Sequence, residues 1–233
     1  MKNPWFDIPL ADYEGHMSSP DVGQASMIAD ILERTLHECS PASIAILGCA
    51  GGNGFERVNP EVTARVVGID INPEYIAITR ERFQNRLPGL ELLVADLQTD
   101  DVCLEPVELV FAALLFEYVE PDVILRTIHR LLKSNGRLVT VVQLPKADGP
   151  AVTPSPFTSL QSLSSCLRLV PPDLLRQQAA AQSLSLATSE QVVLQSGKSF
   201  QVQTFQATPW NSMNPSELVS RAATSLDIDQ CRP

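Results

Sequence analysis

Ile44-Ala45-Ile46-Leu47-Gly48-Cys49-Ala50-Gly51-Gly52-Asn53-Gly54 is the stretch on which the reading of this chain turns. Four apolar residues make a short strand, and the glycine-dense turn after them leads into a helical stretch from Phe55. Glycines at such a turn carry no Cβ, so backbone amides and the next helix end can come close to a ligand. The spacing is Gly-x-x-Gly-Gly-x-Gly, which differs from the Gly-x-Gly-x-x-Gly that lays a pyrophosphate on a helix end. A second strand, Arg65-Val66-Val67-Gly68-Ile69, ends at Asp70, 22 residues past Gly48, where a carboxylate can accept both hydroxyls of a ribose. An adenosine-bearing ligand suits this pair.

Outward from this unit the pattern repeats. Ser19-Pro20-Asp21 reads as the start of a helix over 21–38 that carries Ile28, Ile31, Leu32 and Leu36 on one face. Asn72-Pro73 starts another, with Ile76, Thr79, Phe83 and Leu87 at spacings of three and four. Strands follow at 90–94 and 107–114, the second a continuous apolar run of the kind buried on both faces. A helix over 121–133 stops at Asn135-Gly136, and a fifth strand covers 137–143. Alternating strands and helices predict a parallel sheet covered on both sides. Residues 144–185 break the rhythm, being rich in Pro, Ser and Gln with weak helical signals at 158–169 and 172–184. Residues 186–195 and 198–207 alternate apolar and polar side chains around Ser196-Gly197, the pattern of a β-hairpin. The stretch 209–233 reads as a tail that is partly disordered.

Composition narrows the function classes. Of 233 residues, 44% are hydrophobic and 19% charged, enough apolar chain for one domain with a substantial core. The formal charge is −10, which repels a phosphate backbone and argues against nucleic acid. The charge is uneven, with 12 basic against 21 acidic side chains in 1–146 and 5 against 6 in 147–233. No apolar run reaches the roughly 20 residues of a membrane span, so a cytoplasmic protein without a membrane partner is expected. Five cysteines without a Cys-x-x-Cys pair, and histidines at 16, 37 and 129 without a ligand motif, suggest neither disulfides nor a metal site.

The residues over about 40–145 resemble the class I S-adenosylmethionine (SAM) dependent methyltransferases of the small-molecule type. Ile44 to Gly54 is similar to the family's first motif, an acid followed by Gly-x-Gly-x-Gly, with Gly48 and Gly52 on its first and third glycines. Ala50 stands at the middle glycine and Ile46 at the acid. Val67-Gly68-Ile69-Asp70-Ile71-Asn72-Pro73 resembles the second motif, and Val94-Ala95-Asp96-Leu97 the third. Leu131-Leu132-Lys133-Ser134-Asn135-Gly136 is similar to the family's entry to the fifth strand.

The resemblance implies an α/β, Rossmann-like, doubly wound seven-stranded sheet in three layers, mostly parallel with a C-terminal antiparallel hairpin. It also implies a domain over 1–208, divided into an N-terminal lid and helix (1–40), a cofactor-binding core (41–143), a substrate cap or long connection (144–185) and the hairpin (186–207). By position, Gly48, Cys49, Ala50, Gly51, Gly52 and Asn53 would wrap the methionine part of SAM. Asp70 and Ile71 would take the ribose, Asp96 and Leu97 the adenine, and Ala112 would lie beneath the sulfonium. The cofactor implied is SAM, with S-adenosylhomocysteine (SAH) as product and no metal.

Transfer from a sulfonium is an in-line displacement in which proximity supplies most of the catalysis, with a base needed only where the acceptor loses a proton. The fourth strand ends in Ala112-Ala113-Leu114-Leu115, without the Asn/Asp-Pro-Pro-Tyr/Phe motif of enzymes that methylate amino groups of DNA and protein, so a small-molecule substrate is the expected partner. Acceptor-side candidates are Tyr13, Glu14 and His16 before the first helix, and Glu117 and Tyr118 after the fourth strand. Each group joins a possible base to an aromatic wall. Lid packing is an equally good reading of the first group, and Tyr13 would also cover the cofactor. A SAM-binding protein without turnover is the alternative, and a nucleotide-dependent oxidoreductase a weaker one. The oligomeric state is left open, a homodimer among the options.

Overall fold

The computed structural model describes residues 3–146 and 151–208. Seven strands form one sheet: β1 (Ser43–Leu47), β2 (Arg65–Asp70), β3 (Leu90–Val94), β4 (Val107–Ala113), β5 (Leu132–Gln143), β6 (Leu184–Val193) and β7 (Ser199–Ala207). Their order is β3-β2-β1-β4-β5-β7-β6. The first five strands pair in parallel, while β7 is inserted antiparallel between β5 and β6. The hairpin expected at 186–207 is therefore present, starting two residues earlier.

Alternation along the strands divides the core in two. Ala45 and Leu47 of β1 point to one face, where they join Ile124, Leu125 and Ile128 of α4 (Pro121–Leu131) and Leu175 and Ala179 of α5 (Pro172–Ala181). Ile44 and Ile46 point to the other, against Met27, Ile28, Ile31 and Leu32 of α2 (Gln24–Cys39) and Ile76 of α3 (Pro73–Phe83). Because both faces are covered, β1 is buried along its whole length, as its unbroken apolar run requires.

Two expectations need correction. The helix read as starting at 21 begins at Gln24 and is preceded by a separate helix, α1 (Leu10–Ser18). Ser19-Pro20-Asp21 is the turn between them, where the Ser19 carbonyl accepts the amides of Val22 and Gly23, and Gly23 adopts φ +62°. Secondly, α4 stops at Leu131 and β5 starts at Leu132, earlier than 137, because buried Leu132 already pairs with Val107. The Asn135-Gly136 signal is an irregularity inside this pairing, at which a Cβ on Gly136 would lie 2.8 Å from the Lys133 carbonyl oxygen. The helical signals read at 158–169 and 172–184 correspond to a 3₁₀ helix at Thr158–Ser165 and to α5. The tail at 209–233 lies outside the described residues.

Candidate active site

The C-terminal ends of β1, β2, β3 and β4 lie along one edge of the sheet, and the chain order reverses between β1 and β4, where doubly wound sheets hold their ligands. A cleft opens at this edge. Gly48, Ala50, Asp70, Ile71, Asp96 and Leu97 line it, as do Tyr13 and Trp5.

Asp70 organises the glycine loop. Its Oδ2 accepts the Ala50 amide at 2.8 Å and its Oδ1 the Asn72 amide at 2.9 Å. Burial raises its pKa, while these amide bonds act in the opposite sense. The Gly48 and Cys49 amides both donate to the Ile69 carbonyl, so the loop turns back over the end of β2. Ala50 takes φ +46° at the position where the resembling motif has glycine. Gly52, at φ +83°, packs so closely on α3 that a Cβ would sit 2.6 Å from the Phe83 ring. Ile46 is in the core and does not line the cleft.

The N-terminal segment closes the cleft from above. Asn72 caps α3 through its Oδ1 and donates from Nδ2 to the Trp5 carbonyl, while the Tyr75 hydroxyl donates to the Ile8 carbonyl. Tyr13 stacks on Tyr75 at 6.3 Å, and Trp5 meets Tyr13 and Tyr118 edge-on at 5.6 and 5.0 Å. The face of such rings suits a cation such as a sulfonium. Burial and the Asp70 carboxylate push the Tyr13 hydroxyl well above its ordinary pKa, so it stays protonated.

A second chamber adjoins the cleft and shares Trp5, Tyr13, Leu114 and Tyr118 with it. Glu117 and His16 line it, with Gln143 at the end of β5 and Lys198 just before β7. Glu117 is 2% exposed. Its Oε1 accepts the Gln143 amide at 2.6 Å, whereas Oε2 is buried without a hydrogen-bond partner. Burial pushes its pKa up to about 7, against the lowering effect of the Gln143 amide. Lys198 donates to the Ala151 carbonyl at 2.7 Å and to the Gln143 side-chain oxygen at 3.3 Å. Burial, with Lys146 nearby, lowers its pKa to about 8. His16 Nδ1 is hydrogen-bonded to Ser155 Oγ at 2.9 Å, and burial together with Lys198 lowers its pKa. Leu114 adopts φ +53° where cleft and chamber meet, a conformation that is strained for a bulky residue.

The remaining candidates lie apart from these two spaces. Glu14 is ion-paired with Arg82, which also donates to the Gly51 carbonyl at 3.0 Å. With Gly51, Gly52 and Asn53 these residues line a third groove, which shares Tyr13 with both spaces and Met17 with the chamber. The Cys49 side chain is in the core, and Ala112 is fully buried one residue short of Ala113, which does line the cleft. Sequence reasoning missed Trp5, Tyr75, Gln143 and Lys198. The position of Gln143 at the C-terminal end of a parallel strand was the available signal for it; Lys198, beside Gly197 in a hairpin turn, reads as an ordinary solvated cation.

Residues 46–140 match the family model described as a methyltransferase domain. An uncharacterized methyltransferase-like protein of Schizosaccharomyces pombe is 26% identical over 133 residues, which are 57% of this chain and 49% of that protein. The match thus covers about half the length of this curated relative. Among solved structures, the N-methyltransferase NodS of Bradyrhizobium japonicum, in complex with SAH, superposes with a TM-score of 0.61 at 16% identity, covering 79% of this chain and 87% of its own. The magnesium protoporphyrin IX methyltransferase ChlM of Synechocystis, with bound SAM, gives 0.59 at 13% identity over 80% and 81%. The cyclase SpnF gives 0.61 at 16% over 77% and 81%, so the shared fold serves more than one chemistry. Residues 46–140 thus resemble a methyltransferase domain, on a chain with the Rossmann-like fold that these solved structures share.

Proposed function

We propose that this protein transfers a methyl group from SAM to a small-molecule acceptor. The cleft would hold the cofactor and the adjoining chamber the acceptor. The carrying observation is that the two spaces meet at Trp5, Tyr13, Leu114 and Tyr118, an arrangement that brings donor and acceptor together for in-line displacement. The residues of the cleft suit SAM. Asp70 offers a buried, fixed carboxylate to the ribose hydroxyls, Ile71 and Leu97 offer apolar surface to the adenine, and Asp96 lies beside them. When bound, SAM supplies an electrophilic methyl group on a sulfonium. In this reading Trp5 and Tyr13 exclude water and cover the cation, and Glu117 and His16 face the acceptor. Glu14 acts at a distance by holding α1 over the glycine loop through Arg82.

The binding-only alternative draws support from Ile46, which leaves the amino group of SAM without the carboxylate usual in the resembling motif. Titration calorimetry with SAM, SAH and NAD tests the cofactor. Micromolar binding of SAM and SAH without NAD is expected, and NAD binding without a response to SAM would overturn the proposal.

A further inference from the structure

We propose that the acceptor is an apolar molecule bearing an acidic hydroxyl, a phenol or enol, and that Oε2 of Glu117 takes the hydroxyl proton as the oxygen is methylated. This deepens the reading above and rests on it. A buried oxygen without a partner is rare and costly in a folded protein, and a ligand donor satisfies it directly. The chamber that Glu117 lines has mostly hydrocarbon and aromatic walls, with Met17, Leu160, Leu163, Trp5 and Tyr118 among them. The acceptor therefore combines an apolar body with one hydrogen-bond donor.

Charge selects the kind of donor. The Lys198 ammonium lies in the same chamber and is only 6% exposed. Among the described residues no carboxylate pairs with it. An amine would arrive as a second cation in this confined, weakly screened space, at a Coulombic cost. A neutral acidic hydroxyl avoids that cost, and the negative charge that grows on its oxygen is favoured by Lys198. A thiol is a weaker donor and leaves Oε2 poorly satisfied. In the reaction the O–H bond breaks and its proton passes to Oε2, while an oxygen lone pair forms the new bond to the methyl carbon. The methyl–sulfur bond breaks with its electrons remaining on sulfur, and the products are a methyl ether and SAH. The pKa of Glu117, about 7, stands about three units below that of a phenol near 10, a gap that transfer in the transition state can bridge.

The test uses 2-naphthol, 2-naphthylmethylamine (a cation at neutral pH), 2-naphthalenethiol and 2-methoxynaphthalene, which share one apolar frame, titrated into the full chain saturated with SAH. The naphthol should bind at least tenfold more tightly than the other three, and Glu117→Gln should abolish that preference with SAH affinity unchanged. Equal binding of naphthol and its methyl ether, preference for the amine or thiol, survival of the preference in Glu117→Gln, or no naphthol binding at all would each overturn the acceptor class. Failure of SAH itself to bind would instead reject the cofactor reading on which the class depends.

Discussion

The backbone amide of Gln143, the last residue of β5, donates to Oε1 of Glu117 at 2.6 Å and leaves Oε2 of the same carboxyl buried and unpartnered. One oxygen is thereby fixed by the sheet, while the other is left without a partner in a side chain that lines the chamber. The same Gln143 accepts from Lys198 through its side chain, so one residue joins two titratable groups that line the chamber.

Glu117 should make stability depend on pH in an unusual direction. The folded protein keeps its proton up to about pH 7, whereas the unfolded chain releases it near the ordinary 4.5. Between those values the folded state binds more protons, so stability falls as pH rises, by about 3 kcal/mol in all. Glu117→Gln has no proton to lose, so this component of the pH dependence disappears. Urea unfolding at pH 5 and pH 8 checks this: wild type should lose stability between them, and the variant should lose about 2.5 kcal/mol less.

Lys198 contributes with the opposite sign. The folded protein gives up its proton near pH 8 and the unfolded chain near 10.5, so this group's share of stability increases through that window. Catalysis that needs Glu117 ionised and Lys198 charged has a narrow optimum between about pH 7 and 8. Lys198→Met should flatten the alkaline limb of kcat/KM and leave the acid limb in place. An unchanged alkaline limb would remove Lys198 from the acceptor chemistry.

The Glu14–Arg82 pair holds α1, and with it Tyr13 and His16, over the glycine loop. Both side chains are more than a third exposed, so breaking the pair should cost the fold no more than about 1 kcal/mol. Applied to closure, that is about a fivefold faster release of SAH in Glu14→Gln. Stopped-flow dissociation should show salt accelerating release from wild type and leaving the variant unaffected. Equal salt dependence in both proteins would mean that the pair does not hold the lid.

Asp70→Asn replaces an acceptor of two backbone amides with a group that has only one acceptor oxygen. SAM affinity should fall by about 10- to 100-fold, the cost of a lost charge-assisted hydrogen bond of roughly 1.5–3 kcal/mol. Calorimetry on the folded variant measures it, and an unchanged affinity would move the ribose away from β2.

These sites were unequally legible in the sequence. The glycine loop, Asp70 and Asp96 each lie at the end of a strand that announces itself locally, so neighbouring residues identify them. Lys198 and Gln143 meet only because β7 enters antiparallel beside β5, a pairing across 55 residues that no local pattern encodes. Helix α1 was hidden for a different reason. It carries Gly15 in its interior and buries only Leu10, His16 and Met17, so its stability comes from packing more than from periodicity. Gly15 is there for contact, since a Cβ would lie 2.3 Å from the Phe157 ring. Pro20 suggested a helix start because proline suits a first helical turn, but it serves equally well in the turn that precedes α2.

Ala50 tests how a glycine motif survives without its middle glycine. At φ +46° an alanine carries strain of about 1–2 kcal/mol, which Ala50→Gly would relieve. The same change removes a methyl group packed with Leu10 and Tyr75, worth about 0.8 kcal/mol. It also frees the unfolded chain, at a cost of about 0.5–1 kcal/mol. The opposing effects nearly cancel, so the variant should unfold within about 4 °C of wild type. SAM affinity should be unchanged, because the contact of residue 50 with Asp70 is made by its backbone amide. Ala50→Val has no such compensation. A branched side chain is more strained at this φ and overfills the contact with Leu10 and Tyr75, for a loss of about 2–4 kcal/mol. Thermal unfolding of both variants decides the matter: a valine as stable as alanine would mean that the loop relaxes freely and that its left-handed turn does not constrain residue 50.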